Sequence, residues 1–374
     1  MARLIEITGK ALSGEWGTDD ETGEGIPVLR TTNFTNEGVV NYNDVVTRKI
    51  TKKNINDKFL RKGDIIIEKS GGSDKFPVGR VIYFDGVENT YLFNNFTGLL
   101  RVKDREVWYP RYIFYSLYAN YKRGGTRSFE NKTTGLHNLK TDTYVEQFEV
   151  GEKSKKEQVS ICNKLDKLHD VMKLREQELQ MLNDLIKARF VELFGDPRSN
   201  PFGFEKKMLK DTCKVITGNT PSRAIAEYYG DYIEWIKTDN IVSGILSPTQ
   251  ATESLSEKGM NVGRTVEKNS ILMACIAGSI ASIGRVCITD RTVAFNQQIN
   301  AVVPEQYNIL FLYVLLQMSK DYLVEDINMA LKGILSKSKL EEKEFIIPPM
   351  DLQEQFSDFV KQVDKSKVVV ASVR

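Results

Sequence analysis

The sequence is short of the residues that usually carry chemistry. It has four cysteines, Cys162, Cys213, Cys275 and Cys287, and no two of them form a CxxC pair. With only two histidines, His137 and His169, the chain lacks the ligand set of a structural zinc site. The thiols read as reduced, which suits a cytoplasmic protein. No apolar run reaches the ~18 residues of a membrane span. The nearest, ILMACIAGSIASIG from Ile271, is too short and runs into Arg285. The opening MARLIEITGK has no apolar h-region, so no secretory signal is expected. No GxxxxGK[ST] phosphate loop occurs. NPFG at Asn200 lacks the second proline of the adenine-methyltransferase motif Asn-Pro-Pro-aromatic, and it follows a helix stop where Asn and Pro make a turn. The Glu341-Glu342-Lys343 run reads as solvated surface rather than a nuclease centre. Neither histidine has a nucleophile beside it in the pattern. No catalytic set, metal site or cofactor site of the chain's own is expected. Charge of one sign is also scarce: the net charge is +2, which neither demands nor excludes nucleic acid, because a local basic face matters more than the total.

What the sequence does have is a repeat. GIPVLRTTNF, from Gly25, returns as YIEWIKTDNI, from Tyr232. Ile26, Leu29, Arg30, Thr31 and Asn33 match Ile233, Ile236, Lys237, Thr238 and Asn240. GVV at Gly38 matches GIL at Gly244, and KGDIII at Lys62 matches KNSILM at Lys268. GRV at Gly79 recurs at Gly284, FNN at Phe93 matches FNQ at Phe295, and KKEQ at Lys155 matches LQEQ at Leu352. Order is kept and spacing drifts slowly, as in a tandem duplication.

Each unit opens with a mixed head. DIIIEK and GRVIYF read as short strands bounded by Gly. PRYIFYSLYANY from Pro110 reads as a helix with Pro in its first turn, and ILFLYVLLQMSKDYL from Ile309 is its counterpart. Each unit closes with a long helix. Ser154 with Glu157 forms a capping box, and Ile161, Leu165, Leu168, Met172, Leu179, Leu182, Ile186 and Leu193 fall on one seam. Gly195 and Pro197 stop the helix. In the second unit Asp351 with Glu354 is expected to cap the start, and Leu352, Phe356, Phe359, Val363 and Val370 carry the seam. A helix of about forty residues spans roughly 60 Å, too long for one small domain to bury. Pairing the two helices antiparallel would hide both seams and make a pseudo-two-fold molecule. The expected class is α+β: two mixed α/β heads, 1–150 and 197–347, with helices over 151–196 and 348–374 forming an antiparallel coiled coil. A double head suits a partner that is itself roughly two-fold, such as a DNA duplex read at two half-sites.

The helix end LNDLIKARFVELFGDP (Leu182 to Pro197), the EQ helix starts, the GIPVLRTTNF…KGDIII heads and the two-unit layout together resemble the specificity subunits of type I restriction–modification systems. The resemblance covers nearly the whole chain. It implies two target-recognition domains, each reading one half of a split double-stranded DNA site, with the helices setting the unread spacer. It implies docking of two methyltransferase subunits that bind S-adenosylmethionine and methylate adenine, and of restriction subunits driven by ATP with Mg. The second helix departs from this pattern. On the EQ register it is shorter than the first by a third to a half, which puts stable helix pairing and docking of the second methyltransferase in question.

The loops that combine Gly, amides and cations are the candidates for touching DNA, because Gly admits a phosphate close to the backbone, Arg and Lys neutralise phosphates or read guanine, and Asn and Gln read adenine. In the first head these are Lys69, Ser70, Gly71, Gly72, Ser73 and Lys75, with Arg80 of the repeated GRV, and Tyr121, Lys122, Arg123 and Arg127 around Gly124-Gly125. In the second they are Ser279, Arg285, Asn296, Gln297 and Gln298, with Lys332, Lys337 and Lys339. The shared Arg30-Thr31-x-Asn33 and Lys237-Thr238-x-Asn240 runs admit two readings, DNA contact or structural support. The seam of the long helix reads as internal packing, and its other face, extended by Phe190, Val191 and Phe194, as a protein-docking surface. Two rival functions remain, a helical adaptor that binds only proteins and a self-contained nucleic-acid enzyme.

Overall fold

The computed structural model describes residues 1–74, 76–133, 136–328 and 333–372. The chain divides into two compact units, Met1–Val171 and Met172–Arg374. The division falls inside the long helix Lys155–Phe194, so each unit holds its own part of that helix.

In the first unit, the IIIE run forms the strand Ile65–Glu68 inside an antiparallel sheet of order Leu12–Ser13, Thr97–Leu100, Ile65–Glu68, Val81–Tyr83. Successive side chains on a strand face opposite ways. Ile65 and Ile67 therefore enter one core with Val81, Leu100, Ile113 and Leu117, while Ile66 enters another with Leu29, Ile82, Phe84 and Phe93. An unbroken apolar run is what a strand covered on both faces requires. The helix Pro110–Lys122, with Pro110 in its first turn as expected, covers the first face. A second sheet, in the order Thr18–Asp19, Val46–Lys49, Ile26–Leu29, Leu92–Phe93, covers the other and contains one parallel pair, Val28 with Leu92.

The second unit repeats the main sheet strand for strand and adds one strand, Thr265–Val266, to the edge of the second sheet. Its main sheet has the order Cys213–Thr217, Ile299–Pro304, Ile271–Ala274, Val286–Ile288. Ile271 and Met273 face one core, Leu272 and Ala274 the other. Its second sheet has the same single parallel pairing, Trp235 with Ala294. The duplication read in the sequence is thus a duplication of topology.

The repeated phrase has a structural use in both heads. Asn33 is buried in the turn Thr31–Asn33; its Oδ1 accepts from the Arg30 N–H (2.8 Å), and its Nδ2 donates to the carbonyls of Asn41 and Asp44 (both 3.0 Å). Asn240 does the same: Oδ1 accepts from the Lys237 N–H (3.0 Å), and Nδ2 donates to the Gln250 carbonyl (3.1 Å) and Thr249 Oγ1 (3.2 Å). Of the two open readings, the structure supplies the structural one for the Asn.

The long helix begins as expected. Glu157 Oε2 accepts from the Ser154 N–H (2.9 Å), and Ser154 Oγ accepts from the Glu157 N–H (3.3 Å). It stops at Phe194, with Gly195 left-handed at φ 69°. The start of the C-terminal helix Met350–Ser372 corrects the sequence reading. Asp351 lies inside the first turn, and the carbonyl of Pro349 takes the first helical N–H groups, those of Leu352 and Gln353. The matching residue pair is also shifted. Gln158 Oε1 accepts from the N–H of Tyr109, the cap of helix Pro110–Lys122. Gln353 Oε1 accepts from the N–H of Asn308, the cap of helix Ile309–Met318. Gln158 therefore corresponds to Gln353, not to Gln355: each buried Gln satisfies an orphan donor at the neighbouring helix start. The expected helix from Ile309 breaks at Ser319 and resumes as Lys320–Val324.

The helix seams are partly filled. In the second unit Ile186, Phe190 and Phe194 pack with Phe311, Phe356, Val360 and Val363. The Phe194 ring lies 4.8 Å from Phe311 and 5.5 Å from Phe356. This overturns the expectation that Phe190 and Phe194 add to an exposed docking face. Helix Ile309–Met318 is apolar nearly all round, and these two rings cover it together with strand Val286–Ile288 and the C-terminal helix. Val191 remains exposed. At the seam positions Leu168 and Met172 the side chains are 60% and 62% exposed, and the Val370 side chain lies outside the described residues.

Candidate nucleic-acid interface

The loops singled out in the first head come together on one end of its main sheet. The segment Ser70–Gly72 leaves strand Ile65–Glu68 and pairs with Leu136–Leu139, which pairs in turn with Glu130–Thr133. That hairpin follows directly on the basic loop at Lys122–Arg127. Arg127 donates to the Asp74 carbonyl (3.2 Å), tying the two candidate loops to each other. His137 stands between them, with Nδ1 2.9 Å from Glu130 Oε2 and Nε2 3.5 Å from Asp74 Oδ1. Glu130 Oε1 also accepts from the Val78 N–H (3.0 Å). These partners were not legible as a cluster, because all the contacts but His137–Glu130 span more than fifty residues and no spacing rule marks them.

The candidates divide by what their side chains already do. Lys122 and Arg123 are exposed, with Lys122 Nζ 5.2 Å from the Tyr118 ring, and Arg123 has no side-chain partner among the described residues. Ser70, Gly71 and Ser73 lie on the loop rim, and Tyr121 is half-buried, its hydroxyl pushed up by burial. Lys69 donates to Ser13 Oγ (3.1 Å), and burial lowers the pKa of its ammonium. Gly72 is buried: a Cβ there would sit 2.5 Å from the Val78 nitrogen. Arg80 turns inward, donating to the carbonyls of Phe34 (2.8 Å) and Thr31 (2.9 Å) and to Glu68 (3.3 Å). Burial pushes the Glu68 carboxyl up, and Arg80 pulls the other way. Arg80 and Gly72, read from the sequence as candidates for touching DNA, instead support the loop from inside. Lys75 lies outside the described residues. Gly124 and Gly125 serve the turn itself. Gly124 has φ 74°, and a Cβ on Gly125 would meet Asn120 Oδ1 at 2.1 Å.

The second head places its loops at the equivalent point. Ile276–Ala277 leaves strand Ile271–Ala274 and pairs with Gly333–Ile334. Ser279 is exposed and bonds to Ser282, and Lys337 and Lys339 are exposed just beyond the pairing strand. Lys337 lies 3.5 Å from Glu341 and Lys339 3.5 Å from the Asp326 carbonyl. Gln297 is exposed against Thr220, and the Gln298 carbonyl accepts from the Cys275 N–H (2.8 Å). Arg285 donates to the Thr238 carbonyl (3.3 Å), as Arg80 does to Thr31. Asn296 is buried, its Oδ1 taken by the Gln298 N–H (3.1 Å), so it shapes the turn and is withdrawn from the surface. Lys332 lies outside the described residues. Sequence reasoning passed over Phe76, Ile280 and Ile334, large apolar side chains that are 59%, 40% and 50% exposed on these same loops, and Phe96, 53% exposed in the turn before strand Thr97–Leu100. Their position inside polar turns, as in GSDKFPV, was the available signal.

Among the described residues no group of three or more His, Cys, Asp or Glu could hold a metal ion, and no helix is long and apolar enough to cross a membrane.

The chain matches the Type I restriction modification DNA specificity domain twice, over residues 4–184 and 201–369. It is similar to the HindI type I restriction enzyme specificity subunit of Haemophilus influenzae, 35% identical over 120 residues, which are 31% of this chain and 25% of that protein. It is similar to the MjaIX specificity subunit of Methanocaldococcus jannaschii, 26% identical over 170 residues, 44% of this chain and 38% of that one. The chain thus aligns with well under half the length of either relative. Among solved structures it resembles the S subunit of a type I restriction–modification system from M. genitalium, with TM-score 0.58 and 15% identity over 99% of this chain and 90% of that one. It also resembles a chain from a structural study of complex assembly and conformational transition in a type I system, with TM-score 0.52 and 16% identity over 100% of this chain and 90% of that one. At such identities the likeness establishes the fold.

Proposed function

The chain belongs to the type I restriction–modification DNA specificity domain family, and from that premise we propose that it is the DNA-reading subunit of a restriction–modification complex. Each head takes one half of a bipartite double-stranded site. The long helices set the spacing between the halves and dock two methyltransferase subunits, and restriction subunits join the same complex. The chain itself performs no catalysis. S-adenosylmethionine, ATP and Mg act on the partner subunits, and the complex works in the cytoplasm. The observation that carries this reading is the pairing of a repeated framework with divergent loops. The strand order of the main sheet, the buried Asn and the inward Arg are the same in both heads. The loops on the equivalent short ladder differ, SGGSDKFPV with a YKRGGTR neighbour in one and GSIASI with LSKSK in the other. Two heads built alike but presenting different donors and charges would read different half-sites.

Exchanging residues 1–150 for the head of another specificity subunit should change one half of the recognised site and leave the other. A change in both halves would contradict independent heads. Lys122→Ala with Arg123→Ala should lower DNA affinity of the complex and reduce its salt slope by roughly 0.9 per lost phosphate contact. The rival reading, a helical adaptor that binds only proteins, has no support in the family match.

A further inference from the structure

One basic cleft of the first unit lies away from these loops. The strand registers fix where it is. Thr97 pairs with Glu68 at the end of the sheet that carries the candidate loops, and Leu100 pairs with Ile65 at the other end. Three residue steps along the strand separate the two ends by about 10 Å. Beyond Leu100 opens a cleft of about 700 Å³, a size typical of small-ligand sites, lined by five cations (Lys10, Arg61, Arg101, Lys103 and Arg105) and two carboxylates, Asp57 and Glu88.

The cations are not accounted for by internal pairing. Arg101 is fixed by the buried Asp64, at 2.6 and 2.8 Å, and by the carbonyls of Asp57 and Phe59. Arg105 donates to the Lys62 carbonyl (2.8 Å), and Glu88 accepts from the Lys62 N–H (3.0 Å). The side chains of Lys10, Arg61 and Lys103 have no hydrogen-bond or ion-pair partner among the described residues. These three exposed cations outnumber the two carboxylates of the cleft, Asp57 and Glu88, so an anion entering it meets an excess of positive charge.

The fold does not require this charge. Aligning the two main sheets through Ile65 with Ile271 and Leu100 with Val302 places Glu267 at the position of Arg61, Val303 at Arg101 and Glu305 at Lys103. The left-handed residues Gly63 and Asn269 anchor the same alignment. The second head therefore builds the same sheet end with two acids and a valine.

We propose that this cleft binds a ligand carrying two or more phosphate groups. Arg101, its fork closed on Asp64 and the carbonyls of Asp57 and Phe59, forms a fixed wall of the cleft with one Nη1 proton left to donate, and Arg61, Lys103 and Lys10 supply the neutralising charge. The shared chemistry is the phosphate oxygen, carried either by a free oligophosphate or by the backbone of bound DNA.

The test titrates sodium triphosphate into this chain in complex with the methyltransferase subunit, without DNA, followed by calorimetry. The variant is Arg61→Glu with Lys103→Glu, the residues that the second head carries at these positions; Arg61→Gln with Lys103→Gln is the second variant should charge reversal disturb folding. Saturable binding that weakens about ten-fold or more in the variant, with an unchanged unfolding midpoint, supports a free oligophosphate ligand. No triphosphate binding, but a DNA salt slope reduced by roughly 1.8 for the two lost contacts, assigns the cleft to backbone phosphates. No triphosphate binding and an unchanged salt slope in a folded variant overturns the proposal. A wild-type complex that binds triphosphate but retains no DNA would contradict the DNA-reading function and leave the cleft standing.

Discussion

Replacing Asn33 with alanine asks whether the phrase written twice along the chain holds the fold or touches DNA. The substitution removes three hydrogen bonds at once: the one accepted from the Arg30 N–H and the two donated to Asn41 and Asp44. The Asp44 carbonyl keeps a second donor in Arg30 Nη2 (3.3 Å), so two backbone groups, the Arg30 N–H and the Asn41 carbonyl, lose their partner. At about 1 kcal/mol for each the loss is on the order of 2 kcal/mol. For a unit of this size, ~1 kcal/mol moves the midpoint by about 2–4 °C, so the first unit should unfold about 4–8 °C lower. Asn240→Ala should do the same to the second unit, through its bonds to Lys237, Thr249 and Gln250. Thermal unfolding of the purified protein reads the shift, and DNA binding by the complex below that midpoint reads the other arm. The structural role predicts a large shift with nearly unchanged affinity. A midpoint within about 2 °C of wild type together with weakened DNA binding would refute it.

Phe194→Ala should cost about 3–5 kcal/mol in the second unit, measured by denaturant unfolding, because the ring is fully buried among Phe190, Phe311 and Phe356. Glu234 gives a pH signature: the hydrogen bond from Arg291 holds its carboxyl below the usual range despite burial. Its charged form therefore stabilises the fold fully above the ordinary carboxylate value, and that stability is lost as the pH falls through the lowered one. The stability gap between wild type and Glu234→Gln should narrow on acidification from about pH 6 to about pH 3, and a gap independent of pH would count against the pair. Burial pushes the thiols of Cys213, Cys275 and Cys287 up to about 12 and that of Cys162 to about 11, so iodoacetamide should label none of them in the native protein at about pH 8 and all four after unfolding.

The duplication was legible because its markers are local: a left-handed Gly, a β-branched run and a capping box each declare themselves within a few residues. KGDIII announced a strand buried on both faces, and Ser154 with Glu157 announced the start of the long helix. What escaped was decided at long range. The LQEQ match put the second helix two residues out of register, because the functional Gln of that start is recognised by what it caps, Asn308, and not by its neighbours. Phe190 and Phe194 looked like surface because the apolar helix that needs them lies more than a hundred residues later. Arg80 looked like a DNA contact for a similar reason: its hydrogen-bond partners at Thr31 and Phe34 precede it by nearly fifty residues. The candidate loops were found by composition, and the structure adds that in each head they meet on one short ladder.

The most direct test is modified-base sequencing of DNA from cells that express this chain with its methyltransferase subunit. The account predicts a new bipartite motif with methyladenine in both halves, and loss of that methylation when the chain is omitted. A soluble, assembled complex that produces no motif, beside a control specificity subunit that does, would contradict it.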